Sequence, residues 1–500
     1  MRLSDKAIFN ILCRSSGAII LLCSSVIYVR HLSQQDYGTF LQIMLIYNTV
    51  LLLGFLGIPQ SIYYFLPKEL YRKKFILRTL FITLILSLFF SLIVYFLKYP
   101  LVNLFNNNNL ENHYWVVVVL IFFGFLIRLR EPLLWSCESL LLSGYLTIIS
   151  NILQLGLPML GLYWGGSLYY VLLLMIFGTF ISLILHIYVY AKVILNLSTA
   201  SSDCDQNSSI TGIIDQFRYA LPLGLSNYVG IIGREMDKYF ISLWFSPAQF
   251  AVYSRGAMQV PLVSSIRFTI NDIMMPKFVR LYKDGHINEM LRQWHQIIDH
   301  VAKLNYGIFA LLFAVTPSLV RILYTEAYMG AVPVLRVYLL LLISSVAVYG
   351  MIARVSGKTR LIFWATLLNL PINFILSFVL IKSIGLIGPA IGSVFAAYVV
   401  LVWYLITSSK IVNVSFRHIF PWARVFLLLT VATCVSLPLY ALEELNNFNG
   451  LYSLMFVAAE SVVYAVIYML TLDRLNLMSV DEKDTICRWM KPLPVRLLFR

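Results

Sequence analysis

Charged side chains standing inside otherwise apolar stretches are the residues of this chain with chemistry to offer. Arg14, Arg128, Arg234, Lys238 and Arg267 supply cations, and Glu131, Glu138, Asp237 and Asp272 supply carboxylates. In hydrocarbon each costs about 2.5 kcal/mol or more, so such residues face protein or a watery cavity and mark functional pathways. A guanidinium stays charged when desolvated and its planar fork donates paired hydrogen bonds to phosphate oxygens. The cations are therefore candidates for a cationic cavity, and the carboxylates are candidates for ion coupling. Residues three, four and seven apart share a helix face. This spacing predicts one stripe of Arg128, Glu131, Trp135 and Glu138, with Arg130 pointing away. It also groups Arg234 with Asp237 and Lys238, and aligns Gln259, Arg267 and Asn271. A second reading stays open: Arg128 with Glu131, or Arg234 with Asp237, as intrahelical ion pairs that lock packing.

The elements carrying these residues are membrane helices. Of the 500 residues 60% are hydrophobic and 12% charged, and the mean hydropathy is +0.81, a composition of integral membrane proteins. Apolar runs of about twenty residues, enough to cross a roughly 30 Å hydrocarbon layer, recur from end to end. About fourteen spans are expected, near 7–29, 39–65, 75–97, 114–141, 146–164, 168–191, 216–244, 250–275, 297–323, 330–352, 360–381, 386–408, 422–441 and 451–472. The runs are apolar all round, which excludes the alternating strands of a β-barrel. Lysine and arginine concentrate at 67–78, 276–294, 356–360, 410–424 and in the tail from Asp473, so the positive-inside rule places both termini in the cytoplasm. The formal charge of +15 is then a topology signal. No soluble basic module exists to bind nucleic acid, while a basic rim suits anionic membrane lipids. The first span is too long for a removable signal peptide and lacks a cleavage site. The six cysteines have no paired spacing, so no metal or cofactor is expected. The polar stretch 196–212 reads as a linker.

The chain also repeats itself. SGYLTIISNILQLGLP from Ser143 returns as SGKTRLIFWATLLNLP from Ser356, and the same offset of 213 residues lays Tyr37–Phe40 on Phe250–Tyr253. Internal duplication in an apolar chain is a transporter signature, because two equivalent bundles can open a shared site to either side in turn. Glycines and prolines at Gly54, Gly57, Pro59, Pro158, Pro222, Gly224 and Pro371 can bend helices, and equally suit ordinary membrane packing.

RHLSQQDYGTF, GFLGIPQSIYYFLPK, YALPLGLSNY, REMDKYFIS, FAVYSRGAMQV, MMPKFVRLYKDG and GLIGPAIGSVFAAYV together resemble the Wzx-type polysaccharide flippases of the multidrug/oligosaccharidyl-lipid/polysaccharide exporter superfamily, over about residues 1–410. The resemblance implies an all-α fold with an N-terminal six-helix bundle at 1–200, a second at 213–410, and an extra helix pair with a tail at 411–500. It implies a cargo of oligosaccharide on undecaprenyl diphosphate, flipped across a bacterial inner membrane for O-antigen, capsule or other surface polysaccharide, with a polymerase and chain-length regulator as partners. Three other readings compete. A membrane polymerase or glycosyltransferase needs an acid or histidine cluster on a sizeable loop, which is missing from the outer loops. A multidrug or cation exporter prefers an acidic cavity. A scaffold that has lost transport would tolerate arginine substitution. No GxxxxGK[ST] signature points to ATP.

Overall fold

A computed structural model describes residues 3–69, 71–197, 212–258, 261–358, 360–444, 451–478 and 482. Described residues are helical or in turns, with no strand among them. Eight stretches among the described residues are long and apolar enough to cross a membrane, one of them (Arg360–Val412) folding back as two helices, and the shorter apolar helices Ser16–His31 and Ala331–Ser344 add to these. The remaining expected spans are present as helices that are broken or carry charge. The protein is an all-α, multi-pass membrane protein.

The chain forms two compact units, Met1–Val252 and Tyr253–Arg500. In the first, α1 (Leu3–His31), α2 (Gln34–Gly54), α3 (Ile58–Phe65), α4 (Arg72–Phe96), α5 (Lys98–Leu104), α6 (Asn108–Arg128), α7 (Arg130–Ser136), α8 (Leu140–Asn151), α9 (Leu168–Asn196) and α10 (Ile213–Trp244) follow in order. Helix α11 (Pro247–Gly256) runs through the boundary. The second unit continues with α12 (Pro261–Lys283), α13 (Ile287–Tyr324), α14 (Ala331–Ser344), α15 (Met351–Val355), α16 (Arg360–Ile384), α17 (Gly388–Val412), α18 (Phe416–Ile419), α19 (Trp422–Glu444) and α20 (Leu451–Arg474).

Helix α4 shows what solvent the fold was built for. Thr79, Thr83, Ser87 and Ser91 recur every four residues and are all buried. Ser87 and Ser91 donate to the carbonyls of Phe122 and Val118 on α6, at 3.1 and 3.3 Å. The opposite face turns Phe81, Ile85, Leu88 and Leu92 outward. Small polar residues inside and large apolar ones outside invert the soluble pattern, and suit helices that pack closely while lipid covers the rest.

Three spans of the first unit are broken, each for a local reason. Between α2 and α3, Leu56 and Gly57 take positive φ angles of 48° and 78°, and Pro59 starts the next helix. Gly57 also lies against the backbone of Ala220 and Gly224 on α10, where a Cβ would collide. Between α6 and α7 the helix stops at Leu129. Pro132 has no N–H to donate and its ring crowds the carbonyl four residues earlier, that of Arg128. After α8 the chain widens into a π turn over Ile152–Gly156 and tightens into a 3-10 helix over Leu157–Leu162, with Pro158 at the junction. Prolines in the second unit are tolerated without such breaks: Pro276, Pro317, Pro371 and Pro438 all lie inside helices. Pro158 and Pro371, partners in the sequence repeat, thus differ in local structure.

In the second unit α16 and α17 form a hairpin, and α19 and α20 pack on α13. Helix α13 has 38 residues, about 57 Å at 1.5 Å per residue, so it outruns a roughly 30 Å hydrocarbon layer. Near one end Asp299 accepts from Arg424 at 2.6 Å and pairs with Lys303 at 2.8 Å, and Lys303 in turn pairs with Glu482 at 2.8 Å. That network ties α13, α19 and the tail together.

Candidate functional site

The breaks converge. Between α2, α3, α6, α7, α8 and α10 of the first unit lies a cavity of about 580 Å³, lined in part by Arg128, Arg130, Glu131, Gln60, Asn151 and Gln154. Each helix interruption contributes to it. Gly57, Pro59 and Gln60 come from the α2–α3 break, the two arginines and Glu131 from either side of Leu129, and Gln154 from the π turn. Broken helices expose backbone and redirect side chains, and irregular backbone at membrane depth is tolerated where it lines such a cavity.

Arg128 is exposed within this unit. Arg130 and Glu131 approach at 3.9 Å, a loose ion pair. Two guanidiniums against one carboxylate leave the lining net cationic. Side-chain amides and tyrosines fill much of the remaining wall. Asn151 donates to Ser16 at 3.3 Å, Gln154 donates to Ser182 at 3.1 Å, and the Tyr228 hydroxyl donates to the Leu53 carbonyl at 2.7 Å. Tyr63 sits edge-on to Trp135, with ring centres 6.4 Å apart. Arginine forks, amides and aromatic faces form a lining able to hold a phosphorylated, sugar-bearing head group.

The expected stripe of Arg128, Glu131, Trp135 and Glu138 does not form, because it assumed one continuous helix. The break at Leu129 brings Arg130 to the same cavity as Arg128. Trp135 turns to Ser143, to which its indole N–H donates at 3.1 Å. Glu138 lies beyond the end of α7 in a left-handed conformation, φ 57°, and is exposed. On α10 the expected grouping also separates. Lys238 pairs with Glu235 at 2.5 Å, Asp237 is fully buried, and Arg234 is exposed. Arg267, in the second unit, is half-buried and donates to the Ala347 carbonyl at 3.3 Å, in the turn between α14 and α15. Asn271 is buried. Gln259 lies outside the described residues, as do the side chains of Arg14 and Asp272. Sequence reasoning missed Gln60, Asn151, Gln154 and Tyr228. Single amides in apolar runs carry no spacing signal, although Pro59 and Pro158 beside two of them mark the breaks.

The family model for a polysaccharide biosynthesis protein matches residues 27–333, more than half of the chain. The chain belongs to that polysaccharide biosynthesis family. No curated protein sequence matches it. Among solved structures, the lipid II flippase MurJ in an inward closed conformation superposes with a TM-score of 0.69 at 14% identity, covering 95% of this chain and 99% of that one. An inward-facing multidrug resistance transporter of the MATE family, MOP superfamily, gives 0.62 at 12% identity, covering 82% and 99%. A mutant of the Vibrio cholerae MATE transporter VcmN gives 0.52 at 15%, covering 81% and 98%. These likenesses show the fold alone, one shared with MurJ and the MATE proteins. By their titles the solved relatives are a flippase and transporters. For this member of the polysaccharide biosynthesis family the expected fold class holds.

Proposed function

We propose that this family member is a flippase for lipid-linked oligosaccharide, carrying undecaprenyl-diphosphate-linked glycan units from the cytoplasmic to the outer leaflet of a bacterial inner membrane, for O-antigen, capsule or another surface polysaccharide. The observation that carries this reading is the cavity in which three helix breaks gather Arg128, Arg130 and Glu131 among amides and tyrosines. A diphosphate needs cations that stay charged at depth, and a glycan needs amides and aromatic faces. Membership of a polysaccharide biosynthesis family adds the pathway.

In this reading the N-terminal bundle 1–200 and the second bundle 213–410 alternate access to a shared path, and the pair at 411–500 accompanies them. Arg14, Arg234, Lys238 and Arg267 are the further cations offered to the head group. Glu131, Glu138, Asp237 and Asp272 are the carboxylates offered for ion coupling. Both termini face the cytoplasm, and a polymerase and chain-length regulator consume the product. The protein contributes no covalent chemistry. It replaces the hydration of the head group during crossing.

Proteoliposomes containing a fluorescent polyprenyl-diphosphate disaccharide test it. Quenching of the outer-leaflet probe should reach the inner pool in wild-type vesicles and be slowed at least tenfold by Arg128→Ala. Arg128→Lys should recover part of the rate by keeping charge but losing the bidentate fork. Equal rates in all three vesicle types and in empty ones would refute the proposal.

A further inference from the structure

Two acidic side chains of the C-terminal helices are left without a counter-charge. Glu443, near the end of α19, and Glu460, in α20, are only 7% and 8% exposed. Each lies in a stretch apolar enough to cross the membrane. Glu443 Oε1 accepts a 2.7 Å hydrogen bond from the backbone N–H of Ser318, the residue after Pro317 in α13. Its other oxygen, both oxygens of Glu460 and the hydroxyl of Ser453 have no hydrogen-bond partner. Ser453 is 1% exposed and precedes Glu460 by seven residues, two turns along the same helix face. Helices α19 and α20 pack on one another, and both pack on α13.

The charged and titratable groups on the packed elements are otherwise engaged. Arg321 of α13 pairs with Glu326 at 3.7 Å. The guanidinium of Arg336 on α14 lies over the rings of Phe313 and Tyr440, at 5.2 and 5.1 Å. The Tyr464 hydroxyl donates to the Ala432 carbonyl at 3.4 Å. Among the described residues, no cationic side chain lies within ion-pairing distance of Glu443 or Glu460.

Two carboxylates buried without hydrogen-bond or ionic compensation on packed membrane helices cannot both remain ionised. We propose that Glu443 and Glu460, with Ser453, form a monovalent-cation site in the C-terminal helix pair, filled by a shared proton or by a sodium ion. Both occupants meet the same chemistry, a positive charge between hard oxygens. Through the Ser318 N–H, occupancy is felt at the proline-interrupted turn of α13, giving the pair a lever on the helix against which it packs. The site rests on burial and partner geometry alone, and its test reads binding rather than transport. Failure here therefore leaves the flippase reading standing.

The test is thermal unfolding of the purified full-length protein in detergent, as wild type, Glu460→Gln and Glu443→Gln. Sodium chloride is exchanged for choline chloride at constant ionic strength, and the pH is varied from about 4 to about 8. If sodium is the occupant, the wild-type midpoint climbs with the logarithm of sodium concentration above the dissociation constant, and both variants lose that dependence. If a proton is the occupant, sodium has no effect and the wild-type midpoint falls as pH rises. A proton bound in the folded state stabilises only while it is held, so both variants should show a shallower fall. The Gln variants keep shape and remove charge, so each can fold, and either suffices for the comparison. Identical sodium and pH responses in wild type and the folded variant overturn the site.

Discussion

Gly57→Ala is the sharpest perturbation of the cavity wall, and Gly285→Ala is its control. The two glycines share a backbone conformation, φ 78° and 77°. An alanine at either pays the left-handed penalty, roughly 1–2 kcal/mol. Their surroundings differ. A Cβ at Gly285 meets nothing within 4 Å, whereas at Gly57 it runs into the carbonyl of Ala220 and the backbone of Gly224. Backbone cannot swing aside as a flexible side chain can, so α10 must shift from α3, adding about 1–3 kcal/mol of overpacking strain. The expected losses are about 1–2 kcal/mol for Gly285→Ala and about 2–5 kcal/mol for Gly57→Ala. Because Gly57, Gly224 and Tyr228 line the cavity, the shift should also slow flipping in the surviving folded fraction, which Gly285→Ala should leave unchanged. Denaturant titration in mixed micelles and the vesicle assay, both normalised to folded protein, supply the two readings. Equal destabilisation by the two variants would refute the reasoning, since it would mean that conformation alone, and not the α3–α10 contact, sets the cost.

Other outcomes follow from the same structure. In a variant freed of native cysteines, cysteines placed at exposed positions within 102–112 and beyond Glu443 up to 450 should react with an impermeant reagent from outside, and those at 200–210 or in the tail only after permeabilisation; reversed labelling overturns the charge-based orientation. Alanine at Arg234 or Arg267 should abolish glycan export with protein level intact and lysine should rescue in part, while equal loss of folded protein would assign these arginines to packing. Asp299→Ala leaves Lys303, whose side chain is only 9% exposed, with Glu482 alone, and leaves Arg424 only its bond to the Leu477 carbonyl. Removing one member of such a network costs about 3 kcal/mol, so the denaturation midpoint should drop clearly, whereas Glu289→Ala, which removes an exposed Arg292 pair, should change stability by under about 1 kcal/mol.

How much was legible beforehand differs between the fold and the site. The positions of the spans could be read because twenty apolar residues in a row have few fates in water or lipid. The α2–α3 break was also legible, since Gly57 followed by Pro59 is a local signal. The α6–α7 break was legible in principle, because Pro132 forbids the bond to Arg128, yet treating Arg128 to Glu138 as one helix placed Arg130 on the wrong face. No local rule announced Gln154. Its π turn depends on how α8 meets its neighbours. Glu443 and Glu460 were passed over because a lone acid in an apolar run has no spacing partner. Only the packing of α19 and α20 on α13 shows that each is buried without a cation.

The sequence by itself determined the solvent, the helical class and the internal duplication, because these depend on composition and period, which are properties of neighbours along the chain. Which charges share a cavity, which pair off and which stand alone was decided by tertiary structure. Arg130 joined Arg128 because the break at Leu129 rotates everything beyond it, while Lys238, on unbroken α10, pairs with Glu235 one turn back and Asp237 is buried. At the cavity, side-chain partnership is set by the angle between helix segments meeting at a break, and elsewhere by which helices pack side by side, and neither is written in the spacing along the chain.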